Sequence, residues 1–315
     1  MTVPNAGQRP GAVLIVGVTR SGTSYLYDLL NRHPGIRLAY ESKVLTEGAH
    51  EYQKLAPQPT RNQFRRLLES LARLDEDERL NEWLSTALSE HEEALYEAHQ
   101  EESSFARLIE SVFQSGGPLE WWGNKMLRAE MVPSVTEIWP ATRVIYLVRD
   151  PRDVFASQKR KFGSRRPAAS AIYWSLHAKL GEESVAASGP DRQIILQYEN
   201  LVFRPNEELE RILQLLELDP GEAPTMLAAT PVRTESVGQW RSQLDEREVE
   251  ALETACFDPM KQYGYEASIA TEGRELSTWK RGYETLLENA HQIPLNPAEW
   301  RRKRLLKRLW LAVRG

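Results

Sequence analysis

The segment "GVTRSGTS", residues 17–24, joins a short apolar run to an amphipathic helical pattern. Its two glycines, Gly17 and Gly22, have the spacing of the nucleotide-binding P-loop, G-x-x-x-x-G-K-S/T, and its last residue is a serine as that motif requires. The lysine position is occupied by Thr23, and the segment's basic residue is instead Arg20. Backbone N–H groups, hydroxyls and a helix N-terminus favour a phosphate. The loop therefore predicts phosphate binding without the lysine that reaches a γ-phosphate.

Three apolar runs set the predicted fold. Residues 12–18, "AVLIVGV", have the continuous hydrophobicity of a strand buried on both faces, and residues 143–150 and 192–201 contain similar runs. Each run leads into a helical pattern, and strands that alternate with helices favour a parallel sheet. We predict an α/β fold with a P-loop-like central parallel sheet flanked by helices, a helical insertion and a C-terminal helical extension. Ligands bind such sheets at the carboxyl ends of the strands.

The expected domain spans residues 11–265, with the helical insertion at about 59–115 and the extension at 266–315. The end of the extension is basic and amphipathic. We expect a helix there with its basic face in water, and contact with an anionic membrane surface is the alternative. Its basic residues are Arg301, Arg302, Lys303, Arg304, Lys307 and Arg308.

Composition narrows the class of protein. The formal net charge of −5 gives no general case for a nucleic-acid partner, and the lone Cys256 excludes an intrachain disulfide and points to a reducing compartment. The first residues lack a signal-peptide pattern, and no apolar run approaches the roughly 20 residues that cross a bilayer. We predict a cytoplasmic location. The scattered histidines have no metal-ligand spacing, so no metal is expected.

A second segment, "VIYLVRDPRDVFASQKRKF" at residues 144–162, places Arg149 at a strand end and Ser157 eight residues later in a helical pattern. An arginine with a nearby hydroxyl is suited to a second phosphate. The alternative for Arg149 is a salt bridge to Asp150 or Asp153. Two phosphate sites at the ends of adjacent strands suit a nucleotide that is phosphorylated at both its 5′ and 3′ positions.

Together, residues 16–34 and 145–157 resemble the two nucleotide-binding segments of the PAPS-dependent sulfotransferases, where PAPS is 3′-phosphoadenosine-5′-phosphosulfate. The resemblance continues through "QYENLVFRPNEELERILQLLEL" at 197–218 and "SVGQWRSQLDEREVEALETACFDPMKQYGY" at 236–265. It implies that the first segment binds the 5′-phosphosulfate and the second binds the 3′-phosphate of PAPS, with PAP as the spent product. The implied nucleotide-binding residues are Arg20, Ser21, Gly22, Thr23, Ser24, Arg149, Ser157, Tyr198 and Ser236.

The Arg-Ser-Gly-Thr form of the loop and the segment "HPGIRLAYESKVL" at 33–45 are closest to the tyrosylprotein and carbohydrate branch of that family. This resemblance implies that Glu41 is the general base and that Lys125, in "WWGNKM", stabilises the transferred group. Lys43 matches an arginine of that branch near the active centre. The competing interpretations are a surface glutamate after a turn, a surface lysine at a strand end, and His50 as the base.

The expected function is therefore an enzyme that moves the sulfuryl group of PAPS to an acceptor hydroxyl by in-line displacement. Glu41 would take the proton while Lys125 and Arg20 balance negative charge. The expected acceptor is a carbohydrate, lipid-linked or natural-product alcohol, with a peptide tyrosine as the alternative. Two other classes remain: a non-catalytic nucleotide-binding protein and a P-loop kinase, which Thr23 disfavours.

Overall fold

The computed structural model describes residues 11–56, 58–75, 82–163, 166–186, 188–228, 230 and 234–269. The chain divides into two compact units. The first unit consists of Met1–Val148 and Leu180–Val232, and the second of Arg149–Lys179 and Arg233–Gly315. The basic C-terminal segment predicted from the sequence lies outside the described residues.

The first unit contains a five-stranded sheet in the order β2-β3-β1-β4-β5, and every neighbouring pair is parallel. This arrangement confirms the predicted α/β class with a central parallel sheet. The three predicted runs form β1, β4 and β5, whereas β2 and β3 are strands that the apolar runs did not indicate. The strands are β1 (Gly11–Gly17), β2 (Ile36–Tyr40), β3 (Trp121–Met126), β4 (Arg143–Val148) and β5 (Gln193–Gln197).

The central strand β1 is apolar on both faces, and Val13 to Val16 are fully buried in it. Its register places Ile15 opposite Lys125 on β3, and Gly17 opposite Leu147 on β4. The strands consequently end near the same edge of the sheet, where the loop after β1 begins.

Four helices of the described residues, α3 to α6, lie within the predicted insertion. No strand interrupts the described residues between α2 and β3, as the helical pattern predicted. Thr60 and Gln63 form a reciprocal capping box that starts α3, and Ser104 caps α6. The helices before β4 are α1 (Thr23–Leu30), α2 (Val44–Tyr52), α3 (Arg61–Leu74), α4 (Glu82–Glu90), α5 (Glu92–Glu101), α6 (Phe105–Gln114) and α7 (Val132–Ile138).

The remaining helices follow β4. Helix α8 (Pro151–Phe162) belongs to the second unit, and α9 (Pro167–Ala186) contributes residues to both units. The others are α10 (Tyr198–Phe203), α11 (Pro205–Leu215) and α12 (Ala223–Ala228) in the first unit, and α13 (Trp240–Gln243) and α14 (Glu246–Gln262) in the second. Within the described part of the chain, no helix combines the length and apolar character that crossing a membrane requires.

The second unit is held together by a buried ion-pair network around Arg152. Its guanidinium lies 2.7 Å from Asp150, 2.7 Å from Glu253 and 4.1 Å from the ring centroid of Trp240. Glu253 also accepts hydrogen bonds from the backbone N–H groups of Ser268 and Ile269. Because buried charges are tolerated when they are paired, Arg152 has a structural role here.

Candidate active site

The loop between β1 and α1 is tightly folded. The N–H of Ser21 donates to the carbonyl of Val18 at 3.0 Å, and Arg20 and Gly22 have φ values of 74° and 93°. A Cβ added to Gly22 would lie 2.2 Å from the ring of Tyr198, so the residue requires both a left-handed backbone and the absence of a side chain. Tyr198 is buried and forms one wall of the loop.

The loop presents buried hydroxyls. Ser21 is fully buried, and its Oγ has no hydrogen-bond partner among the described residues. In the first turn of α1, the Oη atom of Tyr25 is also buried and has no hydrogen-bond partner among the described residues. Burial is the main cause that raises the pKa of Tyr25, and the nearby Tyr198 adds to it. A buried hydroxyl without a partner is costly, and a ligand oxygen would satisfy it. The loop therefore fits a phosphate oxygen beside Ser21.

Tyr40, the last residue of β2, contacts both the start of α1 and strand β3. Its Oη lies 2.8 Å from Ser24 Oγ, at the start of α1, and Lys125 Nζ lies 4.3 Å from its ring centroid. Tyr27 packs edge-on against the same ring at a centroid distance of 5.2 Å. Sequence reasoning missed Tyr40. The available signal was its position immediately before Glu41.

Glu41 and Lys125 form an ion pair at the ends of β2 and β3. The N–H of Glu41 also donates to the carbonyl of Lys125 at 2.7 Å. The side chain of Lys125 is only 2% exposed, so it is not a surface lysine, while the Glu41 side chain is 32% exposed. A buried ammonium needs an opposite charge nearby, and the carboxylate that meets this need remains accessible to a ligand.

Through Tyr40, the structure thus links three predicted site residues of the first unit. Ser24 bonds to Tyr40, Tyr40 stacks on Lys125, and Lys125 pairs with Glu41. The arrangement places a hydroxyl, a cation and a carboxylate next to one another at the carboxyl edge of the sheet, where ligands bind in α/β folds.

In the second unit, Arg149 follows directly after β4 and is buried. Its guanidinium donates to the carbonyl of Ser236, and its own carbonyl accepts from Trp174 Nε1 at 3.0 Å. Trp174 is itself buried in the core. Two residues that the resemblance assigns to the nucleotide, Arg149 and Ser236, are therefore in contact.

Asp153 of α8 fixes the segment that contains Ser236. It accepts hydrogen bonds from the N–H of Gly238 at 2.7 Å and of Trp240 at 3.0 Å. Burial raises the pKa of the Asp153 carboxyl. Ser157 lies one helical turn after Asp153, so both residues project from the same side of α8.

Gln239 stands where the resemblance leads us to expect a basic residue. Its Oε1 accepts a hydrogen bond from Arg160 Nη1 at 2.7 Å. Arg160 lies three residues after Ser157 on α8. A cationic side chain is thus present beside Gln239, although it comes from a different part of the sequence.

The remaining histidine and lysine candidates are Lys43, His50 and His33. His50 and Lys43 are exposed, His50 in the last turn of α2. His33 is buried, and its Nδ1 accepts from the N–H of Gly35 at 3.0 Å. Among the described residues, no group of three or more His, Cys, Asp or Glu side chains could hold a metal ion.

A parallel α/β sheet with a P-loop-like turn after its central strand is typical of the P-loop-like folds. The family model described as "Sulfotransferase family" matches residues 10–222, which is more than half of the chain. The chain belongs to the sulfotransferase family, and the resemblance inferred from its motifs is confirmed.

Individual relatives are distant. The chain is similar to a protein-tyrosine sulfotransferase of Drosophila melanogaster, with 24% identity over 218 residues. That match covers 67% of this chain and 39% of the length of the fly protein.

Among solved structures, the chain is similar to the sulfotransferase domain of the Synechococcus PCC 7002 olefin synthase, with a TM-score of 0.57 and 20% identity over 83% of this chain and 97% of that domain. It is also similar to a sulfotransferase domain from the curacin biosynthetic pathway, with a TM-score of 0.50 and 16% identity over 82% of this chain and 99% of that domain. At these identities the likeness establishes a shared fold.

Proposed function

We propose that this protein transfers the sulfuryl group of PAPS to a hydroxyl of an acceptor, with Glu41 as the general base. The observation that carries the proposal is the ion pair between Glu41 and Lys125, which Tyr40 connects to Ser24 of the phosphate-binding loop. A carboxylate that is accessible, held by a buried cation and close to a phosphate site has the chemistry that a proton acceptor for sulfuryl transfer requires.

The donor's 5′-phosphosulfate is assigned to the loop. The N–H groups at the start of α1 and the hydroxyls of Ser21, Thr23 and Ser24 would bind its phosphate oxygens. The unpartnered Oγ of Ser21 supports this assignment, because a phosphate oxygen would complete its hydrogen bonding. Arg20 would lie beside the oxygen that bridges phosphorus and sulfur.

The 3′-phosphate is assigned to Arg149 and Ser157 of the second unit, with Ser236 and Tyr198 as further nucleotide contacts. The buried guanidinium of Arg149 and its bond to the Ser236 carbonyl support this assignment, since they fix the arginine in one orientation. An oriented arginine binds phosphate through charge-assisted hydrogen bonds.

The reaction is an in-line displacement at sulfur. The acceptor oxygen forms a new bond to sulfur while the bond from sulfur to the 5′-phosphate oxygen breaks, and the electron pair of that bond stays on the phosphate of PAP. The acceptor's proton passes to the Glu41 carboxylate. Lys125 and Arg20 balance the negative charge that develops on the sulfuryl and bridging oxygens.

The proposed acceptor is a carbohydrate, lipid-linked or natural-product alcohol. A peptide tyrosine is the second candidate, and the fly relative's name and the segment at 33–45 favour it. A cytoplasmic location and peripheral contact of the basic C-terminal segment with membranes stay predictions.

The test is transfer of label from ³⁵S-PAPS, in the presence of EDTA, to a panel of glycans, lipid-linked alcohols, natural-product alcohols and tyrosine peptides. We expect transfer to at least one class, and we expect Glu41→Gln to lower turnover by about 10²–10⁴-fold because the base is lost. The affinity for PAP should stay within about twofold of the wild-type value, since PAP lacks the transferred group.

The matched control is Glu47→Gln, which makes the same change at an exposed glutamate of α2. It should leave turnover unchanged. Full activity of Glu41→Gln would contradict the proposed base. Tight PAP binding without transfer to any acceptor would favour the non-catalytic alternative.

A further inference from the structure

The turn that carries Glu41 has an unusual backbone. Residues 41–43 connect β2 to α2, and Glu41 has a φ of 51°, in the left-handed region that residues with a side chain seldom occupy. A conformation of this kind persists when the surrounding structure determines it. The contacts of the next two residues, Ser42 and Lys43, identify what holds the turn.

One side of the turn is held by β3. The N–H of Ser42 donates to Asn124 Oδ1 at 3.1 Å, and Asn124 Nδ2 donates back to the carbonyl of Ser42 at 3.0 Å. Asn124 is fully buried and precedes Lys125 in the sequence. The strand that supplies the lysine of the ion pair therefore also fixes the backbone after the glutamate.

The other side of the turn is held by Asp75, which lies 33 residues beyond Ser42 at the end of α3. Ser42 Oγ donates to Asp75 Oδ2 at 2.5 Å, and the N–H of Lys43 donates to Asp75 Oδ1 at 2.7 Å. Ser42 Oγ in turn accepts from the N–H of Val44, the first residue of α2. Both carboxylate oxygens of Asp75 are thus used on the Glu41 turn.

Asp75 occupies a position that local effects disfavour for a carboxylate. It is 3% exposed, and burial raises the pKa of its carboxyl, although the bonds from Ser42 and Lys43 act in the opposite direction. It also follows the C-terminal end of α3, where the helix dipole repels negative charge. The bonds to the Glu41 turn account for an aspartate at this position.

We propose that Asp75 is a positioning residue for sulfuryl transfer, through which the helical insertion holds Glu41 against Lys125. The inference rests on the proposed function, since it assumes that Glu41 is the base. We expect Asp75 to touch neither donor nor acceptor. Its contribution to turnover should consequently pass entirely through Glu41.

The test is a double-mutant cycle measured with labelled PAPS and the acceptor panel described above. Asp75→Ala should lower turnover at least about tenfold and leave the dissociation constant of PAP within about twofold. Asp75→Asn keeps one acceptor oxygen and should fall between wild type and Asp75→Ala. In a Glu41→Gln background, Asp75→Ala should cause no further loss, because the group that it positions is already absent.

Amide hydrogen exchange provides a readout that needs no acceptor. The N–H of Lys43 should exchange faster in Asp75→Ala than in wild type, because its acceptor is gone. The matched control is Asp219→Ala, which also removes an aspartate that accepts from a backbone N–H, that of Gly221, in an exposed turn. It should change neither turnover nor the exchange of Lys43.

Wild-type turnover of Asp75→Ala, or an equal loss in both backgrounds, would overturn the inference while the proposed base stands. Undiminished turnover of Glu41→Gln would overturn both together. If Asp75→Ala does not fold, Asp75→Asn and Ser42→Ala carry the same cycle, since Ser42→Ala removes the bond from Ser42 Oγ to Asp75.

Discussion

Gly22 of the phosphate-binding loop cannot be replaced by a residue with a side chain unless the loop changes its conformation. It combines a φ of 93° with a position at which a Cβ would lie 2.2 Å from Tyr198. We expect Gly22→Ala to destabilise the protein by about 1–2 kcal/mol through the backbone. It should also weaken PAP binding at least about tenfold, because the loop must move away from Tyr198.

Gly117 provides the control for that prediction. It has a φ of 121°, but a Cβ there would have no atom within 4 Å. Gly117→Ala should therefore carry the backbone cost and leave PAP binding unchanged. Calorimetric titration with PAP, together with thermal unfolding of both variants, separates the two effects. Equal PAP affinities in the two variants would contradict the proposed role of the loop.

Residue types and spacing in the sequence indicated the loop and Arg149, whereas Glu41 and Lys125 were implied by the family resemblance, and the structure pairs Glu41 with Lys125. The sequence did not indicate Tyr40 or Asp75. Tyr40 contacts Ser24 of α1 and Lys125 of β3, and Asp75 lies 33 residues from Ser42, so neither residue belongs to a local sequence pattern. The catalytic and binding roles of all these residues stay predictions.

At the scale of elements, β3 shows why the apolar runs in the sequence did not indicate strands β2 and β3. Its sequence, "WWGNKM", contains a glycine, an asparagine and a lysine, yet every residue is buried. A Cβ on Gly123 would lie 1.8 Å from the carbonyl oxygen of Val13, while Asn124 bonds to Ser42 and Lys125 pairs with Glu41. Tertiary partners, which a periodicity cannot reveal, make these polar residues compatible with an interior strand.

Helix α8 and the segment at 236–240 form a second structural element of the proposed site. Asp153 accepts two backbone N–H groups of that segment, and the segment's Ser236 carbonyl accepts from Arg149. An asparagine can accept only one of the two N–H groups at this position. We expect Asp153→Asn to lower the free energy of unfolding by about 1–3 kcal/mol and to weaken PAP binding.

Urea unfolding and PAP titration check this expectation. The control is Asp258→Asn, the same change at an exposed position of α14, which should alter stability by less than about 0.5 kcal/mol. Wild-type PAP affinity in Asp153→Asn, alongside a loss of stability, would mean that the segment supports the fold and not the nucleotide.

At the scale of the whole molecule, the 5′-phosphate is assigned to the loop after β1 and the 3′-phosphate to Arg149 and Ser157. The parallel sheet was predictable because β1, β4 and β5 are apolar runs followed by helices. Which segment binds each phosphate is what the family resemblance implies, and it stays a prediction. A nucleotide with both phosphates should bind more tightly than one that carries the 5′-phosphate alone.

The decisive test of this assignment is calorimetric titration of the wild type and Arg149→Ala with PAP, adenosine 5′-phosphate and ATP. Each titration is run once with EDTA and once with Mg²⁺. We predict that the wild type binds PAP more tightly than the other two nucleotides, independently of Mg²⁺. Arg149→Ala should lose at least about 1.4 kcal/mol of binding free energy for PAP, a factor of ten, and should hardly distinguish PAP from adenosine 5′-phosphate. No binding of PAP, or a preference for ATP with Mg²⁺, would contradict the proposed binding of a nucleotide with both phosphates.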